Sequence, residues 1–422
     1  MMNMCMTSPK FRIIIMNLFN MYINEESVPN MLKLAKVIPI PKVKNPVSPN
    51  ELRPIAIQPV LTKLFGKCIF NQLSTYLESN TLLSEFQFGF RKFHSTTHAL
   101  IAVTDFVYKA WENDQVCIMV ALDVAKAYDK ACKEVLLHKL KWYGVDSKLV
   151  RSFLENRQQF VCISCNNCTK TSSTRPTNLG FSQGLCISCV LFLIMMNDLP
   201  YHLKNSLCVM FADDSGVLIS GDIDHIEQVV NNLNDDLDRS MRWMEANRQE
   251  LNVNKCEFIV FAPRKLKSAV SDIVIQINDT PIRRVTCTKL LGVLLDEDLK
   301  FNNQCDKVIK GCNSSLWSIG PLKNVAERKN KVLLIHTLVF SSLLYASPVW
   351  LFGKNNLKCV NKVIRKCARY VCNKGKYDPI SDDLSVDLEW LVAENMVQAE
   401  LCKCVSKMLN GCCPKYLPIM YQ

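Results

Sequence analysis

The sequence predicts an α+β fold, on three observations. A continuous apolar run, Cys117-Ile118-Met119-Val120-Ala121-Leu122, ends in Asp123-Val124 and reads as a buried strand with a carboxylate at its C-terminal end. Residues 207–220 set two apolar runs around Asp213-Asp214-Ser215-Gly216 and read as a β-hairpin whose turn carries the acids. From Phe301 onward the chain reads helical. Neighbouring side chains of a regular strand face opposite sides, so adjacent aspartates serve one site only where the backbone leaves the pleat. That placement suits a metal, and it also suits an ordinary polar turn.

Composition narrows the class. The 422 residues suffice for two or three packed units, and 49% hydrophobic with 21% charged is a globular balance. A net charge of +12 favours polyanionic partners without identifying them. The 21 cysteines are scattered and follow no secretory leader, which reads as a reduced, intracellular protein. The start, Met1 to Lys10, lacks a charged segment leading into an apolar core. The run Ile13-Ile14-Ile15-Met16 is interrupted at Asn17 and Asn20, as in an amphipathic helix. The longest apolar run, 332–352, approaches membrane-spanning length but contains His336, Ser341, Ser342 and Pro348. It reads as a buried helix, and no membrane partner is expected.

The elements follow in order. After a break at Ser27-Val28-Pro29-Asn30, residues 33–42 read as an edge strand that tolerates Pro39 and Pro41, with Lys36 and Lys42 near its ends. A loop at 45–50 leads through Glu51-Leu52-Arg53-Pro54-Ile55 to a helix over about 61–77. Residues 86–97 interleave phenylalanines with Arg91, Lys92 and His94. That pattern fits a nucleic-acid surface, where rings stack on bases and cations meet phosphates, and fits equally a loop pinned to a core. Ser95 or Thr96 caps the next helix. Residues 125–143 read as one amphipathic helix, with Cys132, Val135, Leu136 and Leu140 inward and Gly144 as its stop.

Residues 157–168 alternate like a strand hairpin. Cys162, Cys165 and Cys168, with Cys186 and Cys189, have metal-type spacing, but without a nearby histidine they read better as small apolar residues. A turn at 180–184 feeds a helix over 190–196, with Ser188 as a cap. A long helix spans 224–248, and 252–261 turns back into a strand with Lys255 at its start. Lys354, Lys358, Lys362, Arg365, Lys366 and Arg369 occur with no acid before Asp378, while Val360, Ile364, Cys367 and Val371 form an apolar stripe. That is a helix with one buried face and one basic face, suited to tracking a phosphate backbone.

Nine short motifs occur in one order: Ala35-Lys36-Val37-Ile38-Pro39-Ile40-Pro41-Lys42, Arg53-Pro54-Ile55, Gln87-Phe88-Gly89-Phe90-Arg91, Leu122-Asp123-Val124-Ala125-Lys126-Ala127-Tyr128-Asp129, Gly180-Phe181-Ser182-Gln183-Gly184, Asn197-Asp198-Leu199-Pro200, Phe211-Ala212-Asp213-Asp214, Asn252-Val253-Asn254-Lys255-Cys256, and Leu291-Gly292-Val293-Leu294-Leu295-Asp296. In that order and spacing the chain resembles the reverse transcriptases of non-LTR retrotransposons, most of all the jockey-like group. The resemblance runs from about Val28 to Leu417. It departs where the family usually has Pro at Ser182, Ser at Leu185 and Gly-Pro at Ser188-Cys189.

The resemblance implies a right-hand polymerase: an N-terminal helical extension at 1–30, fingers and the start of the palm at 31–122, a palm of antiparallel sheet backed by helices at 123–300, and a helical thumb at 301–422. It implies RNA-directed DNA synthesis with two Mg2+ ions, Mn2+ being a substitute, held by Asp123, Asp213, Asp214 and the Val124 carbonyl. Lys255 would protonate the leaving pyrophosphate. Lys42 and Arg53 would meet the triphosphate. Tyr128, five positions after Asp123, would close off a ribose 2′-hydroxyl, and Gln183 and Gly184 would line the nucleotide and template. The implied partners are an RNA template, a DNA primer or nicked target DNA, and deoxynucleoside triphosphates, in the nucleus or a cytoplasmic ribonucleoprotein. The family's endonuclease is expected to be separate or missing. The competing expectations are a catalytically impaired remnant that only binds nucleic acid, and a structural scaffold that binds none.

Overall fold

The structure, a computed structural model, describes residues 8–145, 148–165, 168–182, 184–381 and 383–419. Gln183 and the first seven residues of the Met-rich start lie outside the described residues. The chain forms two units, Met1–Phe90 with Asp123–Lys204 and Leu237–Asn252, and Arg91–Leu122 with Asn205–Asp236 and Val253–Gln422. Helix and sheet are mixed in both, so the α+β expectation holds.

In the first unit a sheet runs in the order Leu52–Ile57, Leu34–Pro41, Gln158–Cys165, Cys168–Thr171. The strand Leu34–Pro41 is therefore not the edge strand its prolines suggest. Its halves differ: Leu34 to Val37 pair in parallel with residues 158–161, whereas Pro39 and Pro41 pair only with Pro54 and Leu52 of the antiparallel neighbour. Proline lacks an N–H, and both fall beyond the last parallel pair, Val37 with Val161. The hairpin expected around 157–168 is present, with Cys162 opposite Thr171.

The single helix expected over 125–143 is broken into Ala127–Lys130 and Lys133–Trp142. Ala131 between them is extended. Its carbonyl accepts the Gly180 N–H at 2.9 Å, and the Tyr128 carbonyl accepts the Phe181 N–H at 2.9 Å. A partner distant in sequence thus replaces the helical one. Gly144, at φ +71°, follows the second helix as expected.

The helix Cys186–Met196 starts earlier than expected. Ser188 lies inside it, buried, and its hydroxyl donates to the Ser182 carbonyl at 2.9 Å instead of capping. From Val190 to Met196 every residue is buried, which is how a helix apolar on all sides must sit. It packs on Val60–Ser79 and Lys133–Trp142. The Asn197 side chain after it accepts the Ser84 N–H at 2.7 Å and donates to the Leu82 carbonyl at 2.8 Å and the Tyr143 hydroxyl at 2.7 Å. Lys139 is buried and donates at 2.6 Å both to the Met195 carbonyl and to Asp198 Oδ1.

The second unit is built on a five-stranded sheet in the order Arg283–Arg284, Glu257–Phe261, Val116–Leu122, Asp214–Gly221, Leu207–Phe211. Val116–Leu122 is its centre, antiparallel to both neighbours and buried at all but Ala121. Helix Thr96–Glu112 packs across this sheet, and Ser95 caps it by accepting the His98 N–H at 3.2 Å. The run 332–352 is not one helix: Arg328–Ile335 widens into a turn at His336–Phe340, then come Ser341–Leu344 and Ser347–Trp350. Among the described residues no helix is long and apolar enough to cross a membrane.

His98 is buried in that packed helix, and burial pushes its imidazole pKa down to about 4, with His94 and Lys407 acting in the same direction. The unfolded chain takes up this proton near pH ~6.5, the folded chain only near 4. The stability held by neutral His98 is therefore fully present above the unfolded value and lost as pH falls toward the folded one. The acid-dependent loss from this residue is expected to be about 3 kcal/mol. Urea titrations across that range should show a smaller acid loss in His98→Gln, and parallel losses in both proteins would refute the assignment.

Candidate active site

The hairpin Leu207–Phe211 and Asp214–Gly221 closes at the pair Phe211 and Asp214. Its turn is thus the two residues Ala212 and Asp213, tighter than the Asp-Asp-Ser-Gly turn expected. Asp213 sits half-buried in the turn, and Asp214 is exposed at the start of the return strand. Ala212 is at φ +60°, the left-handed region that two-residue hairpin turns require and that disfavours any Cβ. Ala212→Gly is accordingly expected to stabilise the chain by about 0.5–1 kcal/mol. A urea midpoint that does not rise would remove strain from the description of this turn.

The same sheet sets the register beside the turn. Leu122 pairs with Ser215, the last pair between these two strands. Asp123 follows Leu122 in the chain, and Asp214 precedes Ser215.

In the first unit, the Asp123 segment is held by backbone pairing. The Asp123 carbonyl accepts the Asn252 N–H at 2.8 Å, and the Ala125 N–H donates to the Glu250 carbonyl at 2.7 Å. Val124 bridges Leu251 between these two bonds, an arrangement that leaves the Val124 carbonyl outside the bridge. Tyr128 follows on the short turn Ala127–Lys130, its ring stacked on Phe192 at 4.4 Å between centroids. Lys130 and Glu250 form an ion pair below it in sequence.

Gly180 accounts for the join between this turn and the next loop. At φ +78° it lies so close that a Cβ would stand 2.6 Å from the Asp129 carbonyl oxygen and 2.8 Å from that of Tyr128. Gly184, at φ +107°, would place a Cβ 3.0 Å from the Ala56 carbonyl oxygen. The loop therefore runs against the strand Leu52–Ile57, which also carries exposed Arg53. Lys42 Nζ donates to the Asn50 carbonyl at 3.0 Å, and Lys126 Nζ donates to Asn50 Oδ1 at 3.1 Å. Asn50 was no candidate in the sequence. The available signal was only a Pro-Asn pair in a basic loop.

Lys255 is exposed on the turn Val253–Lys255, just ahead of the strand Glu257–Phe261. The hairpin Cys287–Leu290 and Val293–Asp296 turns at Leu291-Gly292, both at positive φ. The Tyr345 hydroxyl donates to the Leu291 carbonyl at 2.6 Å, and Lys307 Nζ donates to the Gly292 carbonyl at 2.7 Å. Asp296 accepts the backbone N–H groups of Asp298, Lys300 and Phe301 at 3.2, 3.0 and 2.7 Å, fastening this hairpin to the helix Asn302–Ser318.

Each unit therefore assembles its own part of the candidate set. The first joins Lys42 and Lys126 through Asn50, Tyr128 to the Gly180 loop, and Gly184 to the strand of Arg53. The second sets Asp213 and Asp214 at the end of the central sheet. The aspartates are hard oxygen donors on fixed backbone, chemistry suited to a divalent cation that keeps several waters. Among the described residues no three His, Cys, Asp or Glu side chains converge as a ready-made cage. A cation completed by water and substrate phosphate oxygens needs only one or two carboxylates.

A family model described as reverse transcriptase (RNA-dependent DNA polymerase) matches residues 40–295. The RNA-directed DNA polymerase from mobile element jockey of Drosophila melanogaster is 27% identical over 369 residues, which is 84% of this chain and 39% of that protein. The probable RNA-directed DNA polymerase from transposon BS of the same organism is 25% identical over 356 residues, 80% of this chain and 37% of that protein. The chain thus spans about two fifths of the length of the curated relatives it matches. Among solved structures, telomerase from Candida tropicalis in complex with a fragment of telomeric RNA aligns with a TM-score of 0.43 at 11% identity, over 83% of this chain and 65% of that one.

Proposed function

Because the chain belongs to the reverse transcriptase family, similar to that of jockey and related non-LTR elements, we propose that it is an RNA-directed DNA polymerase, a nucleotidyltransferase that adds deoxynucleotides to a primer 3′ end on an RNA template. The observation that carries the reading is the two-residue turn at the end of the central sheet. There the hairpin closes at Phe211 and Asp214 with Asp213 in the turn, so two adjacent carboxylates stand where the backbone leaves the pleat. Those positions suit carboxylates that act together.

The reaction is an in-line attack of the primer 3′-hydroxyl on the α-phosphate of an incoming deoxynucleoside triphosphate. The family uses divalent metal ions; bound here, which we assign as two Mg2+ with Mn2+ as a substitute, they supply Lewis-acid neutralisation of charge on the phosphate oxygens and a more acidic primer hydroxyl. Asp123, Asp213 and Asp214 hold them, with the Val124 carbonyl as a further oxygen donor. Lys42 and Arg53 meet the triphosphate, Lys42 being held by Asn50 at the loop that also receives Lys126. Tyr128, fixed against Phe192, bars a ribose 2′-hydroxyl. Gln183 and Gly184 line the nucleotide and template, and Lys255 donates the proton that leaves with pyrophosphate. In family terms we assign 1–30 to an N-terminal extension, 31–122 to fingers and the start of the palm, 123–300 to the palm, and 301–422 to the thumb. The primer is DNA or a nicked target.

The test is primer extension on an RNA template with Mg2+ and deoxynucleotides, beside Asp213→Asn. Extension by the parent alone supports the polymerase. Binding of primer-template with no extension by either protein replaces it with a nucleic-acid-binding remnant, and restoring Pro at Ser182 and Ser at Leu185 becomes the next comparison.

A further inference from the structure

The helix Lys354–Val371 buries Val360, Val363, Ile364 and Cys367 and turns Lys362, Arg365, Lys366 and Arg369 to the other side. Those four cations stand at relative positions 0, 3, 4 and 7, one continuous stripe. Opposite the stripe is the last turn of helix Asn302–Ser318. Between them lies a groove of about 630 Å³ whose lining, among the described residues, includes no acidic residue. Two of its cations bond neutral oxygens: Lys366 Nζ donates to Asn313 Oδ1 at 2.9 Å, and Arg369 Nε donates to the Asp378 carbonyl at 3.1 Å. The positive charge of Lys366 and Arg369 is therefore left to act on whatever enters.

The groove also carries an indole. Trp317 lines it and is 83% exposed, an unusual state for the largest side chain in a protein. Tyr377, 87% exposed, extends the aromatic surface past Lys376, whose Nζ lies 5.2 Å from the centre of its ring. Cations alone suit any phosphate backbone, including that of a duplex. An exposed ring is different, because the bases of a duplex are stacked on one another and offer no free face. Nor does the groove suit a membrane core, since beside Leu316 and Tyr370 the companions of Trp317 in the lining are mostly cations, Lys323, Lys362 and Lys366 among them.

We propose that this groove binds single-stranded nucleic acid, with Trp317 as the platform for an unpaired base and Lys362, Arg365 and Arg369 on the flanking phosphates. The site lies apart from the carboxylates in sequence and holds the strand without chemistry. It rests on the polymerase reading only in taking nucleic acid as the partner.

The test uses the full chain without nucleotides. Fluorescence anisotropy with a short labelled oligouridylate, and separately with a blunt RNA duplex, compares the parent with Trp317→Ala, Trp317→Phe and Lys362→Ala/Arg365→Ala. Trp317→Ala is expected to weaken single-strand binding about tenfold and duplex binding by less than about twofold, while Trp317→Phe restores most of the loss. The double variant is expected to lower the salt slope of single-strand binding by about 0.7 for each phosphate contact removed. Unchanged melting temperatures confirm that the exposed ring was not holding the fold. Equal weakening for single strand and duplex would overturn the proposal in favour of a plain backbone track, and unchanged binding in Trp317→Ala would overturn it outright. Primer extension is scored independently, so a chain that extends primers while Trp317→Ala binds single strands normally refutes this site alone.

Discussion

Asp213→Asn is expected to lower primer extension by about a thousandfold or more while leaving affinity for a primer-template duplex within about twofold of the parent. Asparagine keeps the shape of the side chain in the Ala212-Asp213 turn and removes its charge, so the hairpin stays closed at Phe211 and Asp214. What is lost is a hard anionic ligand where the proposed chemistry needs one, and several kcal/mol of charge stabilisation in the transition state go with it. Duplex affinity comes chiefly from cations meeting phosphates and contains no term for this acid. Parent and variant extending at equal rates would end the metal assignment. Loss of extension together with loss of duplex binding would place Asp213 in the structure of the hairpin instead.

Gly180→Ala is expected to cost about 2–4 kcal/mol of stability, although it adds one methyl group. The new carbon would stand 2.6 Å from one carbonyl oxygen and 2.8 Å from another, both backbone atoms that no side-chain rotation can clear, at a φ of +78°. Relief requires pulling apart the bonds from Gly180 to Ala131 and from Phe181 to Tyr128. Tyr128 should move with them, so the variant is also expected to admit ribonucleotides more readily than the parent. Gly311 supplies the comparison. It lies inside helix Asn302–Ser318 with nothing within 4 Å of an added Cβ, and Gly311→Ala should be neutral or stabilising by up to about 1 kcal/mol. Equal melting temperatures for the two variants would contradict the close approach at Gly180.

The elements that were legible in the sequence are those whose pattern is local. Val116–Leu122 is apolar throughout because it is covered on both faces and flanked by two strands, and a run of that kind needs no partner to be recognised. The hairpin of Asp213 and Asp214 and the turn at Leu291-Gly292 were likewise marked by their own residues. The misreadings share a different cause. Pro39 and Pro41 signal an edge, and only a strand more than a hundred residues away turns the first half of that element into an interior one. Nothing in residues 125–143 shows that the Ala131 carbonyl will be taken by Gly180. Ser188 has the chemistry of a cap and uses it on Ser182 from inside the helix. Within the candidate site, the charged residues were legible by type and motif, whereas Asn50 and the groove of Trp317 exist only through tertiary packing.

The division of the chain carries a consequence for how this protein is made. The backbone passes from one unit to the other five times, at residues 90, 122, 204, 236 and 252, so neither unit is a single contiguous segment. During synthesis the apolar strand Val116–Leu122 leaves the ribosome well before Asp214–Gly221, and Glu257–Phe261 comes later still. Until both arrive, the most hydrophobic strand of the second unit has two open sides, the condition in which nascent chains associate wrongly. Chains truncated anywhere before the second of these partners should accumulate as aggregates rather than as folded halves. Yield of the intact chain should respond strongly to slower translation and to holdase chaperones.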